Sequence, residues 1–353
     1  MGVAPGITRP IRRVLVTMAV AAMAAAGLVG IAAGPAGADD AFGYTIEVNV
    51  PQGLGGNGLP CRLAKVDLTT GVLTGIGSFL DHDSLACAQD LAFSPSGVLY
   101  GISQFEADNE EPVEPHNFGS QAEVFDDEVH LVRFDTTTGA VTDLGAIGTG
   151  PAFIGDFDHP GGGITFDAAG NLWVLMVGEE DACDDAAFCL YQVDPTNPAN
   201  ATFKGAGLGE TYMFGLTANC AGDVLTTAQV EPETDAQSDV FVAFGGTVLY
   251  SVNTGAGSFA AIGSGFTGNN LIQSMDFSTS GVVHGIGTQF SSQHKGFLDT
   301  GFLYTVNPTA GTATQGAQLS ASQFRFAQSL AIAPLSCPLP PAPPVGLQPN
   351  FTG

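Results

Sequence analysis

Two short motifs alternate along this chain, and their repetition restricts the fold more than any other feature. The first motif is an apolar strand of alternating pattern, then Asp or Asn, a Thr/Pro/Gly turn and a second strand, as in LVRFDTTTGAVTDLG (131–145). A period of two residues on both sides of a turn indicates a β-hairpin. The Asp or Asn of this hairpin recurs at five positions: Asp67, Asp135, Asp194, Asn253 and Asn307.

The second motif is also a hairpin, and it alternates with the first. LAFSPSGVLYG (91–101) is a short strand, a four-residue turn that ends in Gly, and another short strand. The residues that open its copies are Leu91, Ile164, Leu216, Met275 and, in a truncated copy, Leu330. The turn glycines are Gly97, Gly170, Gly222 and Gly281. A tight turn often needs positive φ at such a position, which favours glycine.

One copy of each motif gives four strands per repeat, which we call A and B from the second motif and C and D from the first. Four short strands per repeat, without helical periodicity, predict an all-β chain that forms a single β-propeller. A four-stranded sheet has two apolar faces that only neighbouring sheets can cover. A closed ring of such sheets, or blades, leaves neither face exposed.

The number of blades follows from the two ends of the repeat region. The fifth A strand (328–332) has no B, C or D strand after it, because the chain continues as LSCPLPPAPP. Near the other end, 44–48 supplies a B strand and 63–77 supplies C and D. We therefore predict five four-stranded blades, with N-terminal strands completing the last one. A degenerate blade hidden in an insertion would make six.

The consensus forms VDxTTGxxTxIG and LAFxxxGxLYG resemble the blade motifs of exported bacterial β-propellers of the lactonase-like and NHL-like kinds. The resemblance covers nearly the whole chain after residue 38 and concerns turn and core positions. Those groups include lactone hydrolases with a central divalent metal and many non-catalytic binding modules. No catalytic motif of a named member is matched, so the resemblance assigns no site residue, and fold alone does not determine function.

The first 38 residues have the pattern of a secretory signal peptide. Three arginines (Arg9, Arg12 and Arg13) precede an apolar run over 14–33, and Ala36-Gly37-Ala38 supplies small residues before the expected cleavage site after Ala38. The alternative is a retained membrane anchor, since the run is about long enough to span a bilayer. We expect a secreted protein with a signal peptide (1–38), a propeller (39–334) and a Pro-rich C-terminal tail (335–353).

Removal of the signal peptide makes the chain strongly acidic. It takes away three of the nine basic residues and none of the 35 acidic ones, which leaves a net charge of −29. Such a charge repels phosphate backbones and anionic membranes, so it excludes nucleic acid as a partner. We expect a monomer that does not insert into membranes, with an unidentified protein, glycan or small molecule as its partner.

Six cysteines lie after residue 38, and an even count in an exported chain predicts three disulfides. Cys61 and Cys87 fall on one face of neighbouring blades, Cys183 and Cys189 lie in one insertion, and Cys220 and Cys337 each follow an A strand. We predict these three pairs.

The long connections of the chain all fall on one face of the predicted ring. In an up-and-down blade, the D→A and B→C connections share a face, and the A→B and C→D turns share the other. The long B→C connections are 105–128, 178–188, 231–246 and 289–301, and the rich D→A connections are 80–89 and 148–163. Many acidic residues lie in these connections, so this face is the expected working surface.

Two sets of candidate site residues follow. Two D→A connections of neighbouring blades hold a set that fits calcium or another divalent metal: Asp81, His82, Asp83, Asp156, Asp158 and His159. Such a metal would polarise an ester carbonyl and activate water. Positions just before the A strands predict a polar channel lining of Gln89, Asp90, Gln273 and Gln328.

Three functions fit these observations. We expect a non-catalytic binding module that uses its acidic loops to hold cations or a basic partner. One alternative is a metal-dependent hydrolase of lactones or related esters, and another is a structural protein of the cell envelope. Nucleophilic catalysis finds no support, because the chain has no G-x-S-x-G motif and no Gly-rich phosphate loop.

Overall fold

The strands of this protein pair in five separate antiparallel sheets, as the alternating hairpins predict. The computed structural model describes residues 41–48, 60–80, 87–105, 128–148, 152–153, 162–178, 188–207, 212–235, 240–266, 270–291, 296–320 and 329–332. The predicted signal peptide and the predicted Pro-rich tail lie outside the described residues, so both stay predictions. No helix within the described ranges has the length and apolarity that a membrane crossing requires.

The strands follow the chain in this order. The first are β1 (Phe42–Val48), β2 (Cys61–Asp67) and β3 (Leu73–Leu80). Then come β4 (Asp90–Phe93), β5 (Leu99–Phe105), β6 (Glu128–Phe134), β7 (Val141–Ala146), β8 (Ala152–Phe153), β9 (Gly163–Phe166), β10 (Leu172–Gly178), β11 (Phe188–Val193) and β12 (Ala201–Ala206). The last are β13 (Tyr212–Ala218), β14 (Val224–Asp235), β15 (Val240–Asn253), β16 (Ser258–Ile262), β17 (Asn270–Phe277), β18 (Val283–Ser291), β19 (Gly296–Asn307), β20 (Thr312–Gln318) and β21 (Ala331–Ile332).

These strands form a five-bladed propeller, which confirms the predicted fold and blade number. Blade 1 is β4–β7, blade 2 is β9–β12, blade 3 is β13–β16 and blade 4 is β17–β20, each in A-to-D order. Strand β8 was not predicted from the sequence; it pairs with β10 beside β9 and extends the inner edge of blade 2. The five A strands contact one another in a closed circle, so they surround the propeller axis.

Blade 5 closes the ring with strands from both ends of the described chain. Its order is β21–β1–β2–β3, so the A strand comes from the C-terminal part and the other three from the N-terminal part. Strand β21 pairs with β1 through Gly43↔Ile332 and Tyr44↔Ala331. The backbone N–H of Ile46 also donates to Ser329 Oγ at 3.0 Å. The predicted closure by N-terminal strands is confirmed.

The apolar core lies between the blades and has five parts, one at each joint of the ring. Ile102 and Leu131 of blade 1 pack with Ile164 and Val174 of blade 2, for example. The other four clusters join blades 2 and 3, 3 and 4, 4 and 5, and 5 and 1 in the same way. Each sheet therefore buries both faces against its neighbours, which is the physical reason that the chain closes on itself.

The Asp or Asn of the first motif forms the C→D turn, as the repetition predicts. Asp135 Oδ1 accepts hydrogen bonds from the backbone N–H of Thr137 (2.8 Å) and Thr138 (2.9 Å). Equivalent bonds form at Asp67, Asp194, Asn253 and Asn307. Short polar side chains that bond to the backbone two residues ahead stabilise turns. These five residues shape the scaffold through their Oδ1 atoms.

The two hairpin turns use glycine for different reasons. The A→B glycines Gly97, Gly170, Gly222 and Gly281 all have positive φ, as predicted. Gly257 of the C→D turn in blade 3 also has positive φ, and a Cβ there would collide with the backbone of Lys204 and Gly205 in blade 2. The C→D turns therefore also form the close contacts between blades, a role that the sequence does not reveal.

Replacing these glycines separates the two effects. Gly222 has a φ of 90° and open space around its absent Cβ, so Gly222→Ala is expected to cost only about 1–2 kcal/mol of backbone strain. Gly257→Ala adds a collision with the neighbouring blade, which raises the cost by about 1–3 kcal/mol more. Urea denaturation of both variants measures the difference. Equal stability of the two variants would contradict the proposed contact between blades.

One predicted disulfide is confirmed. Cys61 of β2 bonds to Cys87, which precedes β4, with 5.2 Å between the Cα atoms. The bond therefore ties the closing blade to the start of blade 1. Cys189 and Cys220 are disulfide-bonded as well. Cys183 and Cys337 lie outside the described residues, so the pairs Cys183–Cys189 and Cys220–Cys337 stay predictions.

Candidate functional site

The residues that were predicted to bind a metal lie outside the part of the chain that the structure describes. Asp81, His82, Asp83, Asp156, Asp158 and His159 all lie outside the described residues. Among the residues that are described, no three His, Cys, Asp or Glu side chains are grouped in a way that could hold a metal ion. The metal centre therefore stays a prediction, and the described candidate site is the propeller axis together with the two faces that it connects.

The two faces of the ring differ in their connections. We call the face with the A→B and C→D turns the turn face, and the opposite face, where the B→C and D→A connections begin and end, the loop face. All nine turns of the turn face are described, and none has more than seven residues between its strands. On the loop face, the ends of β5 and β6 enclose residues 106–127, eight of which are acidic.

Two of the predicted loop-face insertions are largely extended hairpins. Strands β14 and β15 stay paired as far as Asp235↔Val240, well beyond the ends of β10 and β11. Strands β18 and β19 stay paired as far as Ser291↔Gly296. Blades 3 and 4 therefore project from the loop face as two neighbouring hairpins, and the first of them carries Glu231, Glu233 and Asp235 along β14.

The axis is filled by short side chains and one carboxyl group. The residue just before each A-strand opening residue is Asp90, Gly163, Gly215, Ser274 or Ser329. A Cβ on Gly163 would collide with the backbone of Gly215, so the A strands of blades 2 and 3 approach each other very closely. The small residues leave room at the centre for the side chain of Asp90, which is 1% exposed.

Asp90 bonds to three other blades. Its Oδ2 accepts hydrogen bonds from the backbone N–H of Ile164 in blade 2 (2.9 Å) and Leu216 in blade 3 (3.3 Å). Its Oδ1 lies 2.6 Å from Ser274 Oγ in blade 4, which also accepts the backbone N–H of Leu330 in blade 5 (2.8 Å). This network spans all five A strands, so the carboxyl occupies the axis itself.

A second carboxyl group lies nearer the turn face. Asp276 of β17 accepts the backbone N–H of Ile332 on Oδ2 at 2.7 Å and the hydroxyl of Thr217 on Oδ1 at 2.9 Å. It thereby joins blade 4 to the A strands of blades 5 and 3. Asp276 holds one of the two residues of β21, so it supports the closure of the ring directly.

Burial raises the pKa of both axial carboxyls. The pKa of Asp90 is raised to about 8 by burial, which outweighs the opposing hydrogen bonds from Ser274, Ile164 and Leu216. The pKa of Asp276 is raised to about 7 by burial, against hydrogen bonds from Ile332 and Thr217. An ionised carboxylate is poorly solvated at such a position, so the neutral acid is favoured. Both groups therefore keep a proton at weakly acidic pH.

Gln273 keeps an amide group without a partner at the axis. It is 4% exposed, and its Nε2 has no hydrogen-bond partner among the described residues. Strand β17 runs from the loop face to the turn face, so Gln273 lies on the loop side of the Ser274–Asp90 layer. Buried amides are nearly always bonded, and such an atom calls for a water molecule or a ligand.

The structure describes three of the four residues that were predicted to line a channel. Asp90 begins β4 and Gln273 lies within β17, both buried, and Gln89 is the half-buried residue before β4. Gln328 lies outside the described residues. Sequence reasoning did not single out Ser274, Ser329 or Asp276 as axial residues. A signal was present for the first two, because the same repeat position reads Asp, Gly, Gly, Ser and Ser around the ring. No such signal in the sequence marks Asp276, since its partners are mainly backbone N–H groups.

Comparison with known proteins does not assign this chain to a family. No protein-family model matches this chain, and no curated protein matches it. Solved structures that are similar include TolB from Acinetobacter baumannii (12% identity, 78% of this chain and 52% of that chain, TM-score 0.37). Two others are virginiamycin B lyase from Staphylococcus aureus (10%, 79% and 70%, 0.35) and an exo-1,5-α-L-arabinanase from a bovine ruminal metagenomic library (10%, 78% and 98%, 0.40).

The similarity to these structures carries no information on function, because the TM-scores are below 0.5. This chain spans about half the length of that TolB structure. The propeller fold rests on the pairing of the strands and on the circle of A strands described above.

Proposed function

We propose that this chain is an exported binding module that holds cations or a basic partner on its loop face. The difference between the two faces carries the proposal. On the turn face, acidic residues such as Asp67, Asp135 and Asp194 are used by the turns themselves. The segments 106–127 and 179–187, which connect strands that end on the loop face, contain eight and five acidic residues, respectively.

A further observation supports the proposal. The extended hairpins of blades 3 and 4 add surface to the same face. Dense carboxylates suit calcium, which prefers oxygen ligands, and they also create a field that attracts basic proteins.

Neutralising one loop tests this function. We expect residues 39–353 to bind a poly-lysine peptide and calcium ions at low ionic strength. Changing the eight acidic residues of 106–127 to Asn or Gln is expected to weaken the binding of poly-lysine by about tenfold or more, because the local negative potential falls. Isothermal titration calorimetry measures the affinity for each of the two ligands.

The matched control keeps the charge of the loop and changes its order. A variant with residues 106–127 permuted retains the field but loses any defined arrangement of ligands. It should bind poly-lysine as the wild type does. If this variant loses only the binding of calcium, a calcium site lies in this loop. Unchanged binding after neutralisation would refute the role of the loop. A stoichiometric metal that disappears in Asp158→Ala would favour the hydrolase instead.

A further inference from the structure

A cavity of about 300 Å³ opens on the turn face of blade 2, away from the loop face. It lies between the A→B turn, represented by Gly170 and Asn171, and the C→D turn that starts at Asp194. Gln192 of β11 and Thr202 of β12 form its wall along the sheet. These two residues are direct neighbours across the strands. The volume is at the lower end of the range for small-molecule sites and suits about one sugar ring.

The cavity exists because blade 2 departs from the repeat. Seven residues, 194–200, separate β11 from β12, whereas four to six separate the C and D strands of the other blades. The longer turn contains Pro195 and Pro198 and is closed by backbone bonds from Asn197 N–H to Asp194 O (3.1 Å) and from Asn200 N–H to Asn197 O (2.8 Å). Such a turn is already ordered before a ligand arrives, which lowers the cost of binding.

The polar groups on the wall are oriented by a chain of hydrogen bonds. Asn171 Nδ2 donates to Asp167 Oδ2 at 2.8 Å, and Gln192 Nε2 donates to Asn171 Oδ1 at 3.2 Å. This arrangement fixes both amides and leaves Gln192 Oε1 as an acceptor. Asp194 Oδ1 accepts from the Thr196 N–H and hydroxyl, which leaves Asp194 Oδ2 as a second acceptor.

Two more side chains on the wall are uncommitted. The amide of Asn200 and the hydroxyl of Thr202 are exposed and make no hydrogen bond to any residue that the structure describes. Each can both donate and accept. The cavity therefore offers two fixed acceptors and two adaptable groups around one small space.

We propose that this cavity is a binding site for a neutral saccharide unit. The fixed acceptors Gln192 Oε1 and Asp194 Oδ2 need donors, and vicinal hydroxyl groups supply donors and acceptors together. The carboxylate of Asp194 and the acidic chain disfavour phosphate or carboxylate ligands. The site lies on the turn face and does not depend on the function proposed for the loop face.

The chain contains a built-in reporter for this site. Trp173 is its single tryptophan. The indole N–H of Trp173 donates to Asp167 Oδ2 at 2.9 Å, and that same oxygen holds Asn171 of the cavity wall. A ligand that contacts Asn171 or Gln192 shifts this shared carboxylate, so Trp173 fluorescence responds to occupancy.

Titration with sugars tests the proposal. Residues 39–353 are titrated with glucose, galactose, mannose and N-acetylglucosamine, and with the methyl glycoside of each. We expect at least one sugar to give a saturable change in Trp173 fluorescence, with a dissociation constant on the order of millimolar. Binding of the methyl glycoside shows that a sugar linked in a glycan is accepted; its rejection restricts the site to free sugars.

A matched pair of variants locates the binding. Asn200→Ala combined with Thr202→Val removes two uncommitted groups and should weaken binding by about tenfold. Thr142→Val changes the equivalent exposed position of blade 1, opposite Arg133, and should leave binding unchanged. Saturation-transfer NMR on the same sugars detects binding that leaves fluorescence unaffected. The proposal is overturned if no sugar binds by either method, or if the double variant binds as the wild type does.

Discussion

Replacing Asp90 by alanine is expected to lower the free energy of unfolding by about 3–5 kcal/mol. The substitution removes the acceptor for the backbone N–H groups of Ile164 and Leu216 and the partner of Ser274. Each buried polar group that loses its partner costs about 1–3 kcal/mol. Since these groups belong to three different blades, the loss affects the whole ring. Urea denaturation followed by Trp173 fluorescence measures it.

Asp90→Asn is the matched control. Its oxygen accepts from the same two N–H groups, and its NH₂ group meets Ser274 Oγ as the O–H of a protonated carboxyl would. We expect Asp90→Asn to stay within about 1 kcal/mol of the wild type at pH 6, because Asp90 is protonated there. An Asp90→Ala protein as stable as the wild type would show that the axial carboxyl does not join the blades.

The protein is expected to lose stability as the pH rises from about 5 to about 9. The pKa of Asp90 is raised to about 8 and that of Asp276 to about 7, both by burial. Between the ordinary Asp pKa and these values, the folded protein binds more protons than the unfolded chain, so the free energy of unfolding falls with pH. Each pKa unit corresponds to about 1.4 kcal/mol, and we expect the melting temperature to fall by at least about 5 °C.

The opposite effect limits stability in acid. Hydrogen bonds within the turns, from Thr70, Thr138 and Thr196 first, lower the pKa of Asp67, Asp135 and Asp194. These groups stabilise the fold above the ordinary Asp pKa, and that stability is lost as the pH falls through their lowered pKa values. The melting temperature should therefore be highest at about pH 4, near the ordinary Asp pKa, where the two windows meet.

A double variant separates the axial carboxyls from all other charges. Asp90→Asn with Asp276→Asn removes both titrations. The new amide at position 276 keeps one acceptor oxygen for the N–H of Ile332, while its NH₂ group replaces the oxygen beside Thr217. The change of stability with pH is therefore followed within each protein, and the absolute stabilities of the two are not compared. The melting temperature of the double variant should change little between pH 5 and pH 9. Its loss of stability at low pH should stay as in the wild type. A slope that is unchanged in the double variant would assign the pH dependence to other groups.

The repeated motifs were sufficient to predict the blades, because the turns that shape each hairpin are local. The hairpins at Asp135 and Gly222 depend on residues close in sequence, and both turns form as predicted. The closure between β21 and β1 was also predictable, since the truncated copy at Leu330 lacked three strands that the N-terminal part supplied. The pair Cys61–Cys87 followed from placing both residues on one face of the ring.

The axial network was largely beyond sequence reasoning, because its partners come from different blades. Asp90 was placed at the axis, but its acceptor role depends on backbone N–H groups, and every residue type except proline has one. Asp276 looked like one more carboxylate among many. The cavity of blade 2 was missed for a similar reason: DPTNPAN reads as a turn, and the space beside Asn171 appears only after the hairpins are packed.

The way in which blade 5 is assembled has a consequence for protein synthesis. Ile46 and Ser329, which are hydrogen-bonded, lie 283 residues apart in the chain. While the ribosome makes blades 1 to 4, β1 has an unpaired inner edge that other strands can join. Only a chain made as far as Ile332 can cover that edge. A product of premature termination would keep an open, adhesive edge, so aggregation would distinguish incomplete chains from finished ones.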